Sequence, residues 1–192
     1  MVDAIEPAYE AFYIHGMLFN AQSAFLSIVR ISHAFENLPD DSFENGIGRD
    51  ITRGILNDMQ NIIVHAAALS RYFWPVRSGH QDRGAQLRRS LAIDESNQTY
   101  SRDLRNSIEH FDERLDRYLS DGIVGVVIPE YVGPKPIEDG VPGHFFRAFF
   151  TDTGEFRLLN GDHNMTPITA EITRIRDALV EADENGGRLP NT

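Results

Sequence analysis

Apolar positions along this chain follow a helical period up to Gly122 and a different one after it. From about Glu6 to Asn37, Pro7 suits a first helical turn, and Phe12, Leu18, Phe19, Phe25, Leu26, Val29 and residues 32–35 continue an apolar face. Leu38-Pro39-Asp40-Asp41 and then Gly46 to Gly48 interrupt it. A second helix is expected over 49–73, striped by Ile51, Ile55, Met59, Ile62, Ala66, Leu69 and Phe73 and closed by Trp74-Pro75. Two long helices joined by a short loop are expected to pack as an antiparallel hairpin. The polar segment Arg77 to Arg83 reads as a mobile loop. Residues 84–96 read as a short helix with Leu87 and Leu91 inward and Arg88 and Arg89 outward. Ser101 to Asp121 is the most strongly amphipathic stretch, with Leu104, Ile108, Phe111, Leu115 and Tyr118 on one side, Ser101 as N-cap and Gly122 as the stop.

Beyond Gly122 the period shortens. Ile123 to Ile128 is β-branched, 129–142 is a proline- and glycine-rich irregular link, and 144–151 with 155–160 flank Asp152-Thr153-Gly154, a hairpin signal. Thr166 as N-cap and Pro167 at the first position are expected to open a last helix, striped by Ile168, Ile172, Ile175 and Leu179 and ended by Asn185-Gly186-Gly187. The predicted architecture is one domain over 1–192 of mainly α class. It comprises an antiparallel helical bundle over 1–122, an appended antiparallel β-hairpin over 123–164 and a terminal helix over 165–187.

The chemistry concentrates on the polar side of Ser101 to Asp121. On a helical wheel Asn106 and His110 lie within roughly 40° of each other, nearly opposite the apolar stripe, whereas Arg105 diverges from His110 by roughly 140°. Histidine is the residue type that ordinarily titrates near neutrality, and arginine binds phosphate. Arg105-Asn106, three residues, then His110 resembles the Arg-polar-x-x-x-His motif of the HEPN superfamily, and LRNSIEHFDERLD resembles a bacterial HEPN-like group; the likeness covers about Ile5 to Asp121. The resemblance implies an all-helical domain that works as a homodimer and is, in many members, a metal-independent ribonuclease, some of them toxins or phage-defence effectors. It implies catalytic roles for Arg105 on the phosphate, Asn106 in orientation and His110 in proton transfer, with no cofactor or metal. RNA is then the substrate, with an antitoxin or other protein as a further partner. Asp112 departs from one toxin subgroup, which has tyrosine there. The bland alternative is a solvated charged face of exposed pairs such as Arg105 with Glu109 and Glu113 with Arg117, serving a non-catalytic module for dimerisation or for protein or nucleotide binding.

Composition bears on both readings. A net charge of −11 disfavours general coating by nucleic acid, while arginines, all but one of the 18 basic residues, suit a local phosphate site. Without cysteine, thiol chemistry and thiolate metal sites are excluded. His15, His33 and His65 are expected to be partly buried in helices, His144 and His163 to lie in loops, and Tyr72-Phe73-Trp74 to be core or interface rather than a base-stacking platform. No basic leader and no run of roughly 20 apolar residues is seen, so a cytoplasmic location without membrane contact is expected.

Overall fold

The computed structural model describes residues 4–39, 42, 46–94, 96–97, 106, 110–137 and 140–190. A 3-10 turn, Pro7–Tyr9, leads into α1, Glu10–Glu36, and α2 spans Arg49–Phe73. A further 3-10 turn, Ser78–His80, opens α3, Gln81–Ser90, so part of the expected loop is helical and this helix ends earlier than expected. Next come α4 (Phe111–Ser120), β1 (Val126–Gly133), β2 (Gly143–Phe150), β3 (Glu155–Leu158), β4 (Gly161–Asn164) and α5 (Met165–Glu184). The class is mainly α with a small four-stranded sheet. Among the described residues no helix is long and apolar enough to cross a membrane.

Packing gathers the chain into two compact units, 1–26 with 62–101 and 167–192, and 27–61 with 102–166. Helices α1 and α2 contribute residues to both. They run antiparallel, with Gly16 against Tyr72 and Asn20 bonded to His65 in the first unit, and Arg30 paired with Asp58 in the second.

In the first unit Ile14, Met17 and Ala21 of α1 meet Leu69 and Phe73 of α2, Leu87 of α3, and Ile175, Leu179 and Ala182 of α5. This corrects the expected face of α1. Phe12 and Phe19 stand 77% and 68% exposed, and the buried side is the one carrying Ile14, Met17, Ala21 and Ala24. Glycine at position 16 makes room for a side chain of α2. A Cβ on Gly16 would come within 2.7 Å of the Tyr72 hydroxyl. Gly84 does the same for α3, since a Cβ there would lie 2.6 Å from the Phe73 carbonyl oxygen. Arg88 also departs from expectation: it donates to the Phe73 carbonyl and lies over the Trp74 ring at 5.7 Å. The stripe of α5 is buried as expected, but Asn164 rather than Thr166 caps the helix, its side-chain oxygen accepting the Thr166 N–H at 3.1 Å. Buried Glu10 accepts from Arg188 Nε at 2.7 Å and from the Leu189 N–H at 2.9 Å, which ties the chain beyond α5 back to α1.

In the second unit the strand order is β1-β2-β3-β4. The expected hairpin is present as antiparallel β2 and β3 around Gly154, whose φ of +68° meets the turn's need for a left-handed residue. The sheet has four strands where two or three were expected. β4 pairs antiparallel with β3, and β1 pairs parallel with β2, its run crossing Pro129 that had been assigned to an irregular link. An edge strand tolerates proline because one side of its backbone has no ladder to join. Helix α4 packs on β2: Phe111 meets Phe146 edge to face at 5.3 Å, and the Tyr118 hydroxyl lies 2.6 Å from His144 Nδ1. The helices reach the same sheet through Arg53 with Glu130 at 2.9 Å, Gln60 with Arg147 at 3.0 Å, and Phe35 with Phe149 at 6.0 Å between ring centroids.

Candidate functional site around His110

Helix α4 begins where acidic side chains suit a helix start: Asp112 and Glu113 occupy its first turn, where the macrodipole favours negative charge. His110 precedes that turn with φ −121° and ψ 37°, outside the helical region. Ser101 to Asp121 is therefore not one uninterrupted helix, and the wheel that set Asn106 near His110 does not carry through. A backbone link between them persists. The His110 N–H donates to the Asn106 carbonyl at 3.2 Å, and the His110 carbonyl accepts the Arg114 N–H at 3.0 Å. Asn106 is helical and exposed. Arg105, with Leu104 and Ile108 of the predicted stripe, lies outside the described residues.

The His110 imidazole is exposed, and its Nδ1 lies 3.5 Å from Glu113 Oε1. Glu113 thus faces the histidine, whereas the sequence pattern had paired it with Arg117. One turn on, Arg114 reaches Asn160 Oδ1 at 3.4 Å, passing so close to Gly161 that a Cβ there would meet its Nη2 at 2.6 Å. Arg147 lies over the Phe146 ring at 4.9 Å and the Phe111 ring at 5.9 Å. Neither arginine was singled out from the sequence. The four-residue step from His110 to Arg114 was a usable signal; the approach of Arg147 depends on strand placement and was not.

The other histidines divide by environment. His15 is exposed and pairs with Asp183 at 3.3 Å, and His33 is exposed, both against expectation. His65 is partly buried as expected, its Nδ1 is 3.1 Å from Asn20 Oδ1, and burial lowers its pKa. His144 and His163 sit in strands rather than loops, and His163 is buried. His144 Nε2 lies 3.0 Å from the Val124 carbonyl, which can only accept, so Nε2 carries the proton and Nδ1 accepts from the Tyr118 hydroxyl. Phe73 is fully buried and Trp74 packs on it at 5.9 Å, as expected for core. Among the described residues no three His, Asp or Glu side chains gather as a metal set.

Comparison with family models, with curated proteins and with solved structures gives no match. The reading of this site therefore rests on its own residues.

Proposed function

We propose that the chain is a HEPN-like, metal-independent endoribonuclease with His110 as its proton-transfer group. The observation that carries this reading is the exposed imidazole, with Glu113 Oε1 3.5 Å from its Nδ1 and its backbone N–H bonded to the Asn106 carbonyl one turn before it. In the proposed reaction the 2'-hydroxyl oxygen attacks the adjacent phosphorus and the bond to the 5'-oxygen breaks. The products are a 2',3'-cyclic phosphate and a 5'-hydroxyl end. A proton leaves the 2'-oxygen and one reaches the departing 5'-oxygen, the exchange that an imidazole nitrogen mediates. Arg105 neutralises charge on the phosphate, Asn106 orients it, and Glu113 is a positioning residue for the ring.

A second reading, a non-catalytic module for protein or nucleotide binding, is favoured by one observation. Asp112, Glu113 and Asp116 around the histidine are all exposed and repel a phosphate. Incubating the protein with single-stranded RNA in excess chelator separates the two. Under the first reading RNA is cleaved to cyclic-phosphate ends, and His110→Ala lowers the rate by about 10²–10⁴-fold. Glu113→Gln lowers kcat with KM retained. Cleavage that survives His110→Ala eliminates the proposed mechanism, and a folded protein that leaves RNA intact is the result expected of a binding module.

A further inference from the structure

One stretch of this acidic chain reverses its charge. Residues 71–89 hold five arginines, Arg71, Arg77, Arg83, Arg88 and Arg89, against the single carboxylate of Asp82, a net of +4 in a chain of −11. They occupy the end of α2, the turn Ser78–His80 with its flank, and α3, all within the first unit. Two of them have a structural task. Arg83 Nη2 donates to the Arg71 carbonyl at 3.3 Å and Arg88 donates to the Phe73 carbonyl, which sets two cations on the negative end of the α2 macrodipole. Arg77 and Arg89 do not share that task. Both are exposed, and among the described residues their guanidinium groups meet no hydrogen-bond acceptor.

Counter-charge is abundant in the chain, 29 acidic residues against 18 basic, and elsewhere it is used. Arg30 pairs with Asp58, Arg53 with Glu130, Arg157 with Asp162 and Arg188 with Glu10. Arg77, Arg83, Arg88 and Arg89 have no carboxylate at ion-pair distance among the described residues. Such a cluster in a carboxylate-rich chain is complementary to negative charge brought from outside. Its neighbours narrow the choice of anion. Phe73 is buried, and Arg88 and Arg83 lie over the Trp74 and Tyr13 rings at 5.7 and 5.8 Å, so base stacking has little to use. Val76, beside Arg77, is 84% exposed and offers an apolar contact that a phosphate backbone cannot match. Gln81 donates to the Pro75 carbonyl at 2.7 Å, which holds the start of α3 against the segment that carries Val76. A long polyanion would also extend over the acidic remainder of the surface, whereas a short one meets the arginines alone.

We propose that the surface formed by Val76, Arg77, Arg88 and Arg89 docks an acidic peptide segment of a partner protein. Carboxylates of the segment pair with the guanidinium forks, and an apolar side chain among them covers Val76. The docking is independent of any action of His110 on RNA.

Fluorescence anisotropy of the full chain with a labelled peptide that alternates pairs of glutamate with single leucines tests this, at about 0.05 M salt so that screening is modest. The expected result is saturable binding with Kd below about 1 mM, lost when glutamine replaces the glutamates. The double variant Arg77→Glu with Arg89→Glu raises Kd at least about tenfold, and Val76→Ser raises it about threefold. All three positions are exposed, so circular dichroism and the melting temperature stay unchanged. Absence of binding, or binding indifferent to the double variant, overturns the proposal. A single-stranded oligonucleotide of equal charge that binds more tightly than the peptide through the same arginines also overturns it, and assigns the surface to nucleic acid.

Discussion

His65 shows how one side chain couples the interior of α2 to pH. Its ring stands between Asn20, which accepts from Nδ1, and the edge of Phe19, and the loss of water around it disfavours the charged form. In the unfolded chain a histidine takes up its proton near about pH 6.5, and the folded protein does so only at lower pH. Stability from this group is therefore present above that value and is lost as pH falls through the folded pKa. The carboxylates of the chain add their own slope, so the informative quantity is a difference. Urea unfolding at about pH 7 and about pH 5 should show a smaller loss of stability in His65→Gln than in the wild type. Equal losses in the two proteins mean that His65 does not titrate with folding.

Each helix ends or begins for a local reason, and the start of α5 is the clearest to test. Asn164 is exposed and its side chain touches the Thr166 N–H, so Asn164→Ala removes a cap without opening a cavity. The expected cost is about 1 kcal/mol in the unfolding free energy from urea denaturation. Thr166→Ala, the substitution suggested by sequence alone, is expected to cost less. What was legible at this scale followed from periodicity. The bounds of α2, the buried stripe of α5 and the Gly154 turn were all readable because each depends on residues close in the chain. The face of α1 was misread because bulk was taken as the sign of burial, whereas packing selected the side with Ile14, Met17, Ala21 and Ala24. β1 was read only in part, as the β-branched run ending at Ile128, because its parallel pairing with β2 joins residues that no local pattern brings together. At the site, Asn106 and His110 were legible as polar neighbours, but the backbone change at His110 and the turn of Glu113 toward it were not. Both arise from where α4 chooses to start.

The net charge of −11 makes the whole chain a repulsive object to RNA. Nucleases that hold RNA by a basic surface release counterions on binding and lose affinity steeply as salt rises. For this chain the long-range term has the opposite sign. Salt shortens the distance over which the acidic surface acts, from about 30 Å at 0.01 M to about 8 Å at physiological strength. An RNA phosphate near His110 gains from that shortening, provided that local arginine contacts are closer than the screening length. Arg114 stands one helical turn from His110 and Arg147 lies over the ring of Phe111 beside it, so their pull is short-ranged where the repulsion is long-ranged. Under the proposed ribonuclease reading, kcat/KM for RNA cleavage rises with salt from about 0.01 M to about 0.15 M, more for long RNA than for a dinucleotide, and declines only beyond that. A monotonic fall over the same range would show that a basic track controls encounter despite the overall charge. A salt response of equal size for the dinucleotide and the long RNA would place the effect in the chemical step instead.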